Sequence, residues 1–290
     1  MTKNLAIIGG SGLYDLPDLT QVEAHALNTP FGSPSDQVVT GLLGDVRLFF
    51  LPRHGRGHRL SPSEVNYRAN IWALKQLGAT QVLSISAVGS LKEALPPGHL
   101  VICDQFIDRT FSRATSFFEG SGVVAHVSLA DPTDLALRQA LGQAASHLEL
   151  PHQTGGTYLN MEGPHFSTRA ESALYRSWGL DVIGMTNATE AKLAREAELP
   201  YATAAFVTDY DCWRESEEAV SAEEVMGQLK RNTQSAQALL RALLPRLPDP
   251  ALSPASTALR SGLITQPNTI DDAAKARLGL LLAPYLAGSR

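Results

Sequence analysis

The rhythm of the chain constrains its fold more than any single motif. Short apolar runs stop at polar or glycine-bearing turns and hand over to helical patterns. Residues 5–8, 46–51, 81–86, 100–102, 155–161, 181–185 and 201–207 are short and apolar, several of them β-branched, as buried strands are. Between them, 65–77 carries apolar residues at helical spacing and ends at Gly78, a fitting C-cap. Asp131-Pro132 opens a helix reaching 148, with Asp131 as N-cap and Pro132 at the first helical position. Further helices are read over 167–178 and 190–197. Ser221 to Glu224 fits a capping box, and the helix behind it aligns Val225, Met226, Leu229, Ala236, Leu240 and Leu243. Strands alternating with helices predict an α/β fold: a single domain on a twisted, mixed but mostly parallel sheet flanked by helices. Pro245, Pro248, Pro250 and Pro254 mark a linker. A last helix from Asp271 sets Ala274, Leu278, Leu281, Leu282 and Tyr285 on one face. The organisation expected is an α/β domain over 1–245, then over 246–290 the linker and a C-terminal helix of the same domain.

A chain of 290 residues is long enough for one large core. Its net charge of −5, without a basic block or basic-aromatic stripe, argues against nucleic acid as the main partner. Cys103 and Cys212 are too few for a disulfide framework, which points to a reduced compartment. The N-terminus runs directly into a strand-like segment, so no signal peptide is read. No apolar run reaches membrane-span length. A cytoplasmic protein with no membrane partner is the expectation.

The chemistry sits where the strands end, as it does in open α/β sheets. Residues 5–8 run into Gly9-Gly10-Ser11-Gly12-Leu13, where glycines let the backbone approach a ligand. The dinucleotide fingerprint fails because Asp15 stands at its third glycine, and no P-loop follows. A purely structural turn fits this stretch equally. Residues 46–51 lead to Pro52-Arg53-His54-Gly55-Arg56-Gly57-His58-Arg59, a cationic cluster suited to an oxyanion. A solvated basic loop is the plain alternative. Residues 81–86 end in Ala87-Val88-Gly89-Ser90, read as a second strand-to-glycine turn, and 104–122 reads as a long loop. After 201–207 comes Thr208-Asp209-Tyr210-Asp211-Cys212-Trp213, two carboxylates spaced two apart at a buried strand's end. Such a pair grips a hydrogen-bond donor, with one member able to carry a proton; capping aspartates in a turn are the plain alternative.

Ser11, Arg53, His54, Ser86, Ala87 and Thr186 thus describe one anion pocket. Asp209 and Asp211 would repel that anion at close range, so they belong a ligand's length away. A substrate held between anion and acid is what phosphorolysis of a glycosidic bond needs. Phosphate attacks the anomeric carbon, the transition state is cation-like at the sugar, and the departing base is neutralised by the acid. No Cys/His grouping has zinc spacing. Phosphate is a co-substrate in this scheme, and no metal or other cofactor is required.

The blocks that carry these residues resemble the 5′-methylthioadenosine phosphorylases of the trimeric purine nucleoside phosphorylase family. They are Ile-Ile-Gly-Gly-Ser-Gly-Leu (7–13), Arg-His-Gly-Arg (53–56), Val-Asn-Tyr-Arg-Ala-Asn-Ile-Trp-Ala-Leu-Lys (65–75) and Asp-Gln-Phe-Ile-Asp-Arg-Thr (104–110). Glu-Gly-Pro-His-Phe-Ser-Thr-Arg-Ala-Glu (162–171), Met185-Thr186 and Thr-Asp-Tyr-Asp-Cys-Trp (208–213) complete the set. The resemblance runs from Ile7 to Leu244. It implies the phosphorylase/nucleoside hydrolase-like fold and a homotrimer that converts 5′-methylthioadenosine and phosphate to adenine and 5-methylthioribose 1-phosphate, in methionine and purine salvage.

It also implies roles. Phosphate is held by Ser11, Arg53, His54, Ser86, the Ala87 backbone and Thr186. The Met185 backbone meets the ribose hydroxyls, and Phe166 stacks on the purine with Ser167 nearby. Asp209 meets N7 and the 6-amino group as general acid, with Asp211 supporting it in catalysis; Tyr210 and Asp211 complete the nucleoside contacts. Ala222, Val225 and Met226 line an apolar slot for the 5′ group. His126 enters from a neighbouring subunit, with an ordinary loop histidine as the alternative. The last helix takes the position of a C-terminal lid, with Leu278, Leu281 and Leu282 closing the slot.

Departures fall at the sugar, the phosphate and the 5′ slot. Ser11 stands where Thr is frequent, Ala222 where Val is common and Gly184 where Asn is common. Asn187-Ala188-Thr189-Glu190 lacks the Pro that commonly precedes the Glu. A 6-oxopurine or methylthioinosine phosphorylase is the nearest alternative, yet the 6-oxopurine enzymes carry Asn at the base-reading position and methylthioinosine-preferring relatives lack this Asp-Tyr-Asp. A non-catalytic nucleoside-binding protein would borrow the same fold. A nicotinamide oxidoreductase is opposed by the missing fingerprint glycine.

Overall fold

The computed structural model describes residues 3–14, 16–214 and 222–286; of Ser11, Tyr14 and residues 222–226 it describes the backbone alone. The first half runs β1 (Lys3–Gly9), β2 (Thr20–His25), β3 (Val38–Leu43), β4 (Val46–Pro52), α1 (Tyr67–Gln76), β5 (Gln81–Ser90), β6 (Leu100–Cys103) and β7 (Gln105–Asp108). Then come α2 (Leu135–His147), β8 (His152–Thr154), β9 (Thr157–Asn160), α3 (Arg169–Ser177), β10 (Val182–Gly184), α4 (Asn187–Glu196) and β11 (Tyr201–Asp209). The chain closes with α5 (Ala222–Leu243), α6 (Ala258–Gly262) and α7 (Asp272–Leu286). No helix among the described residues is long and apolar enough to cross a membrane.

The strands form one mixed sheet, in the order β2-β3-β4-β1-β5-β10-β9-β7, with β11 pairing β5 and β6, and β6 pairing β8. Most pairings are parallel; β2–β3, β3–β4, β5–β10 and β6–β11 are antiparallel. Both faces are covered, which explains the unbroken apolar runs of the central strands. Ala6, Ile8, Phe49 and Leu51 pack with α1, α4 and α7 on one face. Their alternates Leu5, Ile7, Leu48 and Phe50 pack with α2 and α5 on the other.

β5 is where the sheet divides. β1 pairs with it only as far as Ile8–Ser84, while β10 takes over at Gly89 and Ser90. β11 follows the other edge from Val82 to Gly89. One edge of β5 between Ser84 and Gly89 is therefore left without a neighbouring strand, and a ligand can reach the backbone there.

Several local expectations are corrected. Ala87 to Ser90 continue β5 instead of turning, because β11 pairs alongside them as far as Gly89 and β10 pairs at Gly89 and Ser90. β2 and β3 flank the 28–36 loop, and β7 lies inside the stretch read as a long loop. Strand 155–161 shortens to β9, with β8 just before it. α2 starts later than Asp131-Pro132: Asp134 is its N-cap and accepts the Leu137 N–H at 2.8 Å. α3 starts at Arg169 rather than Ser167, capped by Thr168, which forms a capping box with Glu171. α4 begins at Asn187, a turn earlier than read, with Asn160 Oδ1 accepting the Ala188 N–H at 3.0 Å. Ser221 and its proposed box lie outside the described residues. Leu278, Leu281 and Leu282 do not cover their own chain's α5: they are buried with Trp72 and Phe117 in the core on the opposite face.

Candidate active site

The gap beside β5 is filled from below by Arg53. Its backbone N–H donates to Gly9 O at 3.0 Å, which sets the residue directly beyond the β1–β4 pairing. The guanidinium then turns inward and is 4% exposed. It donates to Ile85 O at 3.2 Å and to Ile8 O at 3.4 Å, carbonyls that the division of the sheet leaves open. It also donates to Ser84 Oγ at 2.6 Å and grips Glu190 through both carboxylate oxygens. The expected open cation is thus a buried, paired one, and a guanidinium so fixed stays charged. Glu190, Ser84, Asn187, Thr203 and Tyr201 complete a network that is nearly solvent-free.

Above this floor lie the remaining anion-site candidates. Ser86 Oγ is buried with no hydrogen-bond partner among the described residues, an orphan of the kind that awaits a ligand. Ala87 is exposed at the same opening. Thr186 is the N-cap of α4 but makes no side-chain cap; Asn160 Oδ1 takes the Ala188 N–H instead, and the positive end of the helix dipole faces the same side. The Thr186 hydroxyl donates to Asn187 Oδ1 at 3.1 Å. His54 Nδ1 lies 2.9 Å from Leu60 O, and its ring stacks on His58 with centroids 4.3 Å apart. Burial, reinforced by the Arg53 charge, pushes His54 down to about 4, so the imidazole is neutral at physiological pH. The Ser11 side chain lies outside the described residues.

The acid pair stands at the other end of the same opening. A Cβ on Gly89 would come 3.1 Å from Asp209 Oδ1 and 3.4 Å from the Asp211 Cβ, so the glycine makes room for both. Ser86 and Gly89 are three residues apart on β5, about 10 Å at ~3.3 Å per residue. Asp209 accepts the Thr208 hydroxyl at 2.7 Å and the Asp211 N–H at 2.8 Å. Asp211 has φ 54°, and its Oδ2 is buried with no partner among the described residues. Burial raises its carboxyl above the ordinary range, and the Asp209 charge pushes the same way.

Met185 directly precedes Thr186, and Phe166 and Ser167 lie just ahead of α3. Phe166 is 83% exposed, an aromatic face presented to solvent. Ser167 is buried, and its carbonyl accepts the Cys212 thiol at 3.2 Å. Sequence reasoning missed Arg113, whose guanidinium donates to the Met185 carbonyl, to Glu162 O at 2.6 Å and to Tyr67 Oη at 3.2 Å. Glu162 in turn accepts the Ser63 hydroxyl and the Phe111 and Ser112 N–H groups. Both residues lay in or beside quoted blocks; a charged residue within an apolar, turn-rich stretch was the available signal.

Other candidates stand apart. Tyr210 is buried, its ring edge-on to Trp213 and beneath Arg214, rather than facing the opening. The exposed His126 is tied through its N–H to Gly262 O at 2.7 Å, beside α6. The side chains of Ala222, Val225 and Met226 lie outside the described residues. A cavity of about 850 Å³ beside Cys212 and Trp213, walled by Leu91, Lys92, Arg169 and Arg176, includes none of the anion-site residues. Among the described residues there is no cluster of His, Cys, Asp or Glu that could hold a metal ion.

Residues 4–245 match the Phosphorylase superfamily. An S-methyl-5′-thioadenosine phosphorylase of Geobacter sulfurreducens is 50% identical over 286 residues, spanning 99% of this chain and 100% of that one. The chain belongs to the S-methyl-5′-thioadenosine phosphorylase family. A crystal structure of a methylthioadenosine phosphorylase from an antarctic soil metagenomic library superposes with a TM-score of 0.91 at 48% identity, covering 97% of this chain and 99% of that one. A mutant adenosine/methylthioadenosine phosphorylase of Schistosoma mansoni, solved with methylthioadenosine, gives 0.78 at 35% identity, covering 97% and 98%. For a member of the phosphorylase family, the division of the sheet at β5 is what brings the strand ends into one cleft.

Proposed function

We propose that the protein catalyses phosphorolysis of 5′-methylthioadenosine to adenine and 5-methylthio-α-D-ribose 1-phosphate. The observation that carries this reading is the opening beside β5, with the orphaned Ser86 hydroxyl and the start of α4 at one end and the Asp209–Asp211 pair at the other. Phosphate lies against Ser11, His54, Ser86, the Ala87 N–H and Thr186. Arg53 closes the floor and lends the remaining Nη1 hydrogen, since its other donors are committed. The Met185 backbone, held by Arg113, meets the ribose, and Phe166 covers the purine face.

As a phosphate oxygen bonds to C1′, the C1′–N9 bond breaks and its electron pair moves to the purine. Asp209 meets N7 and the 6-amino group, and a proton shared between Asp209 and Asp211 goes to N7. A carboxylate accepts from a 6-amino group and repels a 6-oxo group, which favours adenine over hypoxanthine. Ser167 borders the base, and Ala222, Val225 and Met226 form the 5′ slot. His126 and the exposed Leu280 lie on the side of the molecule away from α5, consistent with their serving a neighbouring subunit of a homotrimer. The enzyme works in the cytoplasm in methionine and purine salvage, with phosphate as co-substrate and no metal or other cofactor. Asp209→Asn is predicted to lower turnover of methylthioadenosine by about 100-fold or more. Full activity in that variant would remove Asp209 from the proton path.

A further inference from the structure

The buried network beneath the anion site fixes the direction of every proton in it. Glu190 is paired with Arg53 and can only accept. Tyr201 Oη donates to Glu190 Oε2 at 3.1 Å, a shorter and charged contact compared with Asn187 O at 3.4 Å. With that proton used, the 3.1 Å contact between Thr203 Oγ1 and Tyr201 Oη has Thr203 as donor. Thr203 therefore accepts from Asn187 Nδ2 at 3.0 Å. Ser84 Oγ donates to Glu190 Oε2 at 2.7 Å and accepts from Arg53 and from Asn187 Nδ2 at 2.9 Å. Both amide hydrogens of Asn187 are then spent, and its Oδ1 faces Thr186 Oγ1 at 3.1 Å. An amide oxygen cannot donate, so the Thr186 hydroxyl points its proton inward and offers lone pairs to the anion. All these partners are buried, so reversing one bond strands another.

His54 reaches the same state independently. A carbonyl only accepts, so the 2.9 Å contact with Leu60 O places the ring's hydrogen on Nδ1. Nε2 is left as a bare acceptor. Two groups of the site therefore seek hydrogens from the anion, and the Arg53 charge is already matched by Glu190.

Resting on the phosphorylase reading, we infer that the site selects inorganic phosphate in its monoanionic, doubly protonated form. Thr186 Oγ1 and His54 Nε2 each accept one of its hydroxyls, while Ser86 donates to an unprotonated oxygen. The groups facing Thr186 and Asn187 do not compete with this titration. Arg53 and His54 follow β4, Glu190 lies on α4, Tyr158 on β9 and Tyr201 on β11. Burial drives both tyrosines well above their usual range, Arg53 stays charged in its pair with Glu190, and His54 is already neutral. His58, stacked on His54, is tested directly by substitution.

The experiment measures KM for total phosphate at saturating methylthioadenosine, between about pH 6 and about pH 8.5. KM should rise about tenfold per pH unit beyond the second ionisation of phosphate, as the monoanion is depleted. His58→Gln should keep this rise. Asn187→Ala and the milder Asn187→Thr free the Thr186 proton and should flatten it. A KM that is level or falls with pH in the wild-type enzyme overturns the inference, whatever the variants do. An unchanged rise in a folded Asn187 variant overturns the part assigned to Thr186. Absence of any phosphate-dependent turnover removes the phosphorylase reading itself, a different result from turnover with a flat KM.

Discussion

Two buried glutamates on α4 show what a single partner decides. Glu190 is 1% exposed and holds the Arg53 guanidinium, so its charge is matched inside the core. Glu196 is 6% exposed and meets neutral donors, the Phe117 N–H at 2.7 Å from Oε2 and the Ser116 side chain, with no cation among them. Burial, with the Glu119 charge adding to it, pushes Glu196 up to about 7. A folded-state value above the unfolded one means the native protein binds the extra proton. That stabilisation is complete below the unfolded pKa and is lost as pH rises through about 7. Wild-type stability is therefore predicted to fall by roughly 1–3 kcal/mol between mildly acidic and mildly alkaline pH. Glu196→Gln should remove most of that fall in urea titrations at the two pH values. An equal fall in the variant would mean that Glu196 is ionised in the native state.

Among the elements, β9 and β10 show how one departure from the family pattern is accommodated. Gly184 pairs with Asn160 at the end of β10, and a Cβ there would come 2.0 Å from the Tyr158 hydroxyl. Tyr158 is fully buried, so it has nowhere to retreat. The phenol occupies the space that a side chain at 184 would take, just before the Met185-Thr186 segment of the site. Gly184→Ala should destabilise by about 1–3 kcal/mol. Combined with Tyr158→Leu, it should cost less than the two single changes added together, by about 1 kcal/mol or more in denaturant unfolding. Strict additivity would show that the two positions do not contend for the same space. Gly184 was visible in the sequence as a departure, but its partner was not. Nothing in residues 155–161 reveals that Tyr158 lies under position 184 until the parallel pairing of β9 and β10 is known.

For the whole molecule, local patterns made the α/β class and most elements readable, because strands covered on both faces are apolar throughout and helices show their stripe. The division of the sheet at β5 was not readable. Residues 87–90 look like a turn on glycine and small residues alone, and pairing with β11 as far as Gly89 and with β10 at Gly89 and Ser90 extends them into strand. The candidate site was readable to the extent that its residues fall in strand-end blocks: Arg53 and His54 follow β4, Ser86 lies on β5, Thr186 opens α4, and Asp209 ends β11 with Asp211 just after it. Their states were not. That Arg53 faces inward, that His54 is neutral and that Asp211 holds the raised carboxyl all depend on burial by segments distant in the chain. The destination of the last helix was equally hidden, since an apolar stripe names no partner; α7 packs with α1 and α4 on the face opposite α5.

The most direct measurement of the central claim is release of free base from methylthioadenosine, with and without phosphate, beside methylthioinosine and adenosine. The account predicts adenine release that requires phosphate and is fastest with methylthioadenosine. Faster turnover of methylthioinosine would contradict base selection by Asp209, and base release independent of phosphate would contradict the anion site itself.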